Sequence, residues 1–494
     1  NAWGSPILCY PDKGAANTMW TTVGGKPQQV VDLRDGRIYS MPWLRSGCRI
    51  GPLLCNGLSY IPPNPCMCYA PVRLKGLLAL SPGGKGVPEP TPTDLRLVRG
   101  PAYERMNTRP VEELLPGDWP TFRHDATRES KASSELPKSL SLAWETTLRG
   151  KLTPPVVAGG LVYIASTDDH TMYALDSKTG EQVWTFMAGG RIDSSPTWDR
   201  GRLIFGSVDG AVYCLDAREG VLVWRFDAAR APARIVSYNQ LESLWPVHGT
   251  VLINDGKAIV ISGRTPYLDG GISIYELNVA NGTVLRKTTI DATGTAFPED
   301  PPQGFLPDIL VQKDGHVYSR YTEILLNRPE IGYVKNTQGE RMGPGKATPY
   351  HRDRQFIVGS GGMLRDGIFH RSGMLFGTSH GQFMAVDGTS YRVKFFETWG
   401  RQNARPFSPG RDKIELRAEE PETGTIQWTV DLPVIARSIV ALNDRLVLAG
   451  APCEVLPEDP WRNFEGRGEG RLETRSREDG SLLAEYTLSS APVH

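Results

Sequence analysis

The sequence predicts an all-β protein built from repeated four-stranded antiparallel units, and three observations predict it. First, 53 glycines and 39 prolines stand among 494 residues. Both are costly inside helices and suit tight turns between short strands. Second, 12 Trp, 17 Tyr and 14 Phe can fill a large core, which argues against disorder. Third, Asp176, Gly180 and Trp184 recur as Asp216, Gly220 and Trp224, each 40 residues later. A period of about 40–50 residues with four strands per unit marks a β-propeller.

The clearest unit justifies each element in turn. Val156-Val-Ala is a short inner strand. Leu161 to Ala165 is the second strand, Thr171 to Leu175 the third and Gln182 to Phe186 the fourth. Gly159-Gly160 and Thr179-Gly180 supply turns that need positive φ. Asp168-Asp169-His170, matched by Asp209-Gly210 in the next unit, is the hairpin between strands two and three. Counting units gives eight, at 17–43, 48–82, 153–186, 194–226, 247–290, 306–340, 370–430 and 437–488. The expected architecture is an eight-bladed propeller, with seven blades the alternative. The chain divides into N-terminal blades with a cysteine cluster (1–82), a Gly/Pro-rich and charged insertion or crossing (83–150) and the main blades (151–494).

The spacing Ala174-x-Asp176-x-x-Thr179-Gly180-x-x-x-Trp184 resembles the tryptophan-docking repeat of the pyrroloquinoline-quinone-like propellers. Cys214 to Trp224 is a weaker copy, and Glu422-Thr-Gly424-Thr-Ile-Gln-Trp428 a third. Asn281-Gly282, Asp479-Gly480 and Asp35-Gly36 keep the turn without the tryptophan. The resemblance implies that each indole wedges between neighbouring blades and ties the ring. It also implies that Trp119-Pro-x-x-x-x-Asp125 introduces the first blade, which would make the two earlier units either the ring's last blades or an added cap. Polar strings around His248, Arg264, Asp308 and His370 resemble large secreted bacterial members of the group, of planctomycete type. The same repeat builds outer-membrane assembly lipoproteins.

Several function classes are excluded or disfavoured. Charge balances at 55 basic and 55 acidic residues, so no global field favours nucleic acid or an anionic membrane. No run of about 20 apolar residues exists to span a bilayer as a helix. No strand-borne Walker loop or Cys-x-x-Cys-His is present. The absence of a Cys-Cys dipeptide counts against the quinone dehydrogenases that the repeat resembles. The start at Asn1 and the end at Ala491-Pro-Val-His494 suggest a piece of a longer precursor. Five of seven cysteines cluster early, and Cys9, Cys48, Cys66 and Cys68 are the disulfide candidates. That points to an oxidising compartment, periplasmic or extracellular. A metal site there is the alternative, disfavoured because Cys66-Met-Cys68 is not Cys-x-x-Cys.

Propellers place ligands where inner strands and their entry loops converge, a fold-level analogy. Catalytic candidates are His370, Arg371, Asp308 and His248: a histidine near an acid can serve as a general base. Ligand-binding candidates are Arg264, Asp269, Arg191, Arg234 and Arg437, whose guanidinium forks suit anions, with Trp245 and Tyr267 to stack on sugar rings. Each has a structural alternative. His248 can hydrogen-bond a neighbouring blade, Asp308 can cap a turn, and Arg264 with Asp269 can brace a loop. No metal ligand set and no cofactor is expected, with calcium the alternative. The leading function is a binding or scaffold propeller with a protein partner. The runner-up is a lyase or hydrolase on acidic polysaccharide, and a quinone-dependent dehydrogenase ranks third.

Overall fold

The structure is a computed structural model. It describes residues 13–21, 29–41, 44, 51–62, 77–81, 88–237, 239–291, 307–313, 315–319, 322–324, 326, 331–333, 381–394, 413–420 and 423–492. The fold is an all-β propeller of antiparallel sheets, with 3% helix among the described residues. Among the described residues, six sheets have four strands, one has five and one has three, and a two-stranded ribbon stands apart. These eight sheets coincide with the eight units expected from the sequence. The strands of the clearest unit are Val156–Ala158, Leu161–Ser166, Thr171–Asp176 and Gln182–Met187. The first strands of neighbouring sheets touch one another: Thr197–Asp199 lies against both Val156–Ala158 and Leu252–Asn254.

Tryptophan docking ties the sheets together. The Trp184 indole N–H donates to the Ala217 carbonyl at 3.0 Å, Trp224 to Val279 at 3.0 Å and Trp428 to Arg477 at 3.1 Å. Each acceptor is the residue after the Asp, Asn or Ser that opens the next sheet's turn. The indole then lies on that turn's glycine. A Cβ on Gly220 would come within 2.5 Å of Trp184, so the turn must be glycine for packing as well as for its φ of 69°. Shared cores of Tyr163, Trp184, Leu203 and Phe205, and of Val212, Trp224, Val260 and Tyr275, fill the gaps between sheets.

A fourth docking tryptophan comes from outside the repeats. Trp144 donates to the Ser177 carbonyl at 3.0 Å and lies on Gly180. The last sheet, 434–488, has Ala484 where a docking tryptophan would stand. The segment around Trp144 supplies the missing one. The Leu140 N–H donates to Tyr486 of that sheet at 3.0 Å, and Ser489 bonds Glu145. Residues 140–146 thus join the last sheet to sheet 156–187. The two N-terminal sheets share a buried cluster with Tyr267 and Leu268.

Just upstream, residues 119–132 lace together the first strands of four sheets. Trp119 exchanges backbone bonds with Val157, and the Pro120 carbonyl accepts from Trp198 at 2.7 Å. The Ala126 carbonyl accepts from Gln312 at 2.8 Å, and Ser130 and Ala132 bond Ala441 at 2.9 and 3.0 Å. At its centre Arg128 is fully buried, and its guanidinium donates to Thr121 Oγ1 and to the Phe122, Asp125 and Leu310 carbonyls. The region 83–150 also holds strand Leu97–Arg99 and helix Tyr103–Thr108. That strand pairs antiparallel with Leu222–Asp227, the outermost strand of its sheet, and makes the five-stranded sheet.

Candidate functional site

Three of the expected site residues lie on segments that enter first strands. Arg191 precedes Thr197–Asp199, His248 precedes Leu252–Asn254 and Asp308 precedes Leu310–Lys313. The structure brings two of these entries together. The His248 Nδ1 lies 2.5 Å from Asp193 Oδ2, with side chains 6% and 0% exposed. A hydrogen bond at Nδ1 to this carboxylate fixes the orientation of the ring. Asp193 Oδ1, Ser194 Oγ and Thr250 Oγ1 are buried beside this pair in sequence and make no hydrogen bond.

The second cluster is a buried ion triad. Glu242 binds Arg191 through one carboxylate oxygen and Arg264 through the other. Arg264 also donates to the Ser243 carbonyl at 3.1 Å. Burying charge is tolerated only when it is paired and hydrogen-bonded, and here one carboxylate serves two guanidiniums. Arg264 therefore goes to Glu242, and the expected brace with Asp269 is replaced. Asp269 instead occupies a left-handed turn position at φ 56°, and its carbonyl accepts the Trp245 indole N–H at 2.9 Å. Burial raises the Asp269 pKa, with Arg264 pulling the other way.

The remaining expected residues are dispersed. Asp308 is buried, and its carboxylate accepts the Ile309 N–H at 2.9 Å, a local backbone cap. Trp245 and Tyr267 are buried in packing rather than presented on a surface where a sugar ring could stack. Arg234 does not precede a first strand. It opens the two-stranded ribbon Arg234–Ser237 with Gln240–Ser243, and its side chain is exposed. Arg437 lies within strand Val434–Ala441, buried, and donates to the Phe464 carbonyl at 2.8 Å. His370, Arg371, Cys9, Cys48, Cys66 and Cys68 lie outside the described residues. Cys55, Cys214 and Cys453 are free thiols, and burial raises the pKa of the last two. Among the described residues no group of three or more His, Cys, Asp or Glu is placed to hold a metal ion. No helix among them is long and apolar enough to cross a membrane.

Sequence reasoning missed Asp193 and Glu242. Glu242 lies 51 and 22 residues from its two arginines, so no local spacing could reveal the triad.

The fold and its docking turns define a tryptophan-docked β-propeller. Residues 135–298 match the family model described as outer membrane protein assembly factor BamB, a PQQ-type repeat model, and over that span the chain is similar to it. No curated protein matches the chain. Among solved structures it is similar to the quinohemoprotein alcohol dehydrogenase of Comamonas testosteroni, at 13% identity and TM-score 0.46, over 79% of this chain and 77% of that one. A europium-containing methanol dehydrogenase is similar at 12% identity and TM-score 0.46, over 79% and 88%. BamB from Moraxella catarrhalis is similar at 12% identity and TM-score 0.30, over 71% and 79%. Likeness of this degree says nothing of activity.

Proposed function

We propose that this propeller is a non-catalytic binding scaffold whose partner is another protein, engaged on the outer strands. The observation that supports it most is that charges at the strand entries are consumed internally. Arg191 and Arg264 share Glu242, His248 pairs with Asp193, and Asp308 caps its own neighbour. That leaves little for an acidic sugar to bind among these residues.

The outer strands look different. The residue preceding the docking position is aliphatic in four sheets: Val183, Val223, Leu285 and Leu483. Val183, Leu285 and Leu483 are 50%, 48% and 51% exposed, whereas Val223 is 0% exposed. Val223 is covered because the chain's own strand Leu97–Arg99 and helix Tyr103–Thr108 add to that edge. The fit is close: a Cβ on Gly100 would meet the Leu222 carbonyl at 2.1 Å. An outer edge of this propeller therefore accepts an extended segment with an apolar side chain, the chemistry of strand addition. We infer that a partner segment does at the uncovered edges what 97–108 does in the chain itself. A periplasmic or extracellular setting accords with that role.

A photoactivatable residue placed in turn at Val183, Leu285 and Leu483 tests this in the source cells. The expected result is a discrete protein adduct from at least one position. No adduct at any of the three, together with cleavage of an acidic polysaccharide by the purified chain, would overturn the proposal in favour of the enzyme.

A further inference from the structure

We infer that Arg437 forms a buried receptor for a compact oxyanion, a carboxylate, sulfate or phosphate group, beneath the 453–469 loop of the last sheet. Arg437 is 7% exposed. It is the extra residue of a β-bulge: Ala436 pairs with Gly450 and Ser438 with Ala449, and Arg437 is skipped. A bulge re-aims the side chain it carries. Here it turns a guanidinium inward, where Nη2 donates to the Phe464 carbonyl at 2.8 Å. Nη1 is buried and meets no acceptor.

Other buried arginines of this chain have their charge matched or their donors spread, even where an Nε stays unbonded, as in Arg191 and Arg392. Arg392 lies 3.1 Å from Glu419 and Arg475 lies 2.7 Å from Glu473, while Arg191 has Glu242. Arg96 and Arg128 have no carboxylate and spread their donors over several carbonyls and hydroxyls. Among the described residues Arg437 has neither a carboxylate nor a second acceptor. Its charge is accordingly expensive, and burial alone pulls its pKa down to about 10.

The loop has ties besides this arginine. Phe464 packs into the core of the last sheet, Asn463 bonds the Glu454 carbonyl at 2.9 Å, and Arg467 pairs with Asp459 at 2.6 Å. What Arg437 offers is an unused pair of donors in a sheltered place. An oxyanion suits it because guanidinium–oxyanion bonds are charge-assisted and would neutralise the buried cation.

The test is thermal unfolding of the full chain in sodium sulfate, phosphate, acetate and chloride at equal ionic strength, with Arg437→Met and Arg437→Lys alongside. Sulfate strengthens burial in most proteins without binding, so the quantity that matters is the difference between wild type and variant. The expected result is a saturable rise in the wild-type melting temperature in at least one oxyanion, absent in Arg437→Met and reduced in Arg437→Lys. In chloride, Arg437→Met should melt no lower than wild type, because removing an uncompensated buried charge relieves a cost. The acetate arm against the sulfate and phosphate arms separates a carboxylate receptor from a tetrahedral-anion receptor. Identical salt responses in wild type and Arg437→Met would overturn the inference. So would an Arg437→Met variant that melts lower in every salt while Arg437→Lys does not, the signature of a plain structural strut.

Discussion

At the scale of single residues, one carboxylate decides the character of the strand entries. Glu242 neutralises two guanidiniums from segments 51 and 22 residues away. Removing one partner of a buried charge network leaves the others uncompensated, so Glu242→Gln should cost about 3–5 kcal/mol in urea unfolding. Asp269 gives a signed pH dependence. Burial raises its pKa above 3.8, with Arg264 opposing. A carboxyl whose pKa is higher folded than unfolded contributes stability at low pH that is lost as pH rises through 3.8 to the folded value. Asp269→Asn should therefore gain on wild type as pH rises from about 4 to about 7, read from melting temperatures across that range. A constant offset at all pH values would reflect only the preference of Asn for its left-handed turn.

Element by element, the sequence was most legible where chemistry is local. Asp176, Gly180 and Trp184 reveal their unit because turn and docking residue lie within one hairpin. Trp144 was missed for the same reason in reverse: Leu140 stands where a turn glycine would precede it, and its hydrogen-bond acceptor lies 33 residues away. Arg234 was misplaced because a ribbon strand and a first strand read alike over four residues. Trp245 and Tyr267 read as sugar platforms because a sequence shows an aromatic ring without showing what covers it. Docking gives a graded prediction. Trp184 is buried and Trp144 half-buried. Trp184→Ala should cost about 3–5 kcal/mol and Trp144→Ala on the order of 2 kcal/mol. Calorimetry of the two variants checks the order, and equal losses would mean that residues 140–146 tie the ring as tightly as a true outer strand does.

For the whole molecule, the repeat made the fold readable, while the ties between sheets also depend on segments outside the repeat. Residues 119–132 cross the first strands of four sheets, and residues 140–146 complete the junction between the last sheet and sheet 156–187. Arg128 anchors the crossing with four neutral acceptors, so Arg128→Met should destabilise every sheet together, visible as one shifted unfolding transition rather than a new early one. The two N-terminal sheets, readable in advance as last blades or a cap, pack on Tyr267 and Leu268.

The most direct test of a scaffold that works through its outer strands compares Glu242→Gln with Leu483→Asp. Both variants carry the photoactivatable residue at Val183 or Leu285, and melting temperature and adduct yield are recorded in parallel. Glu242→Gln should melt lower and keep its adduct, because the triad is internal support. Leu483→Asp should melt as wild type and lose adduct wherever the partner spans that edge. The reverse pattern, adduct lost with Glu242→Gln at unchanged stability and retained with Leu483→Asp, would put the working surface at the strand entries and contradict the proposal.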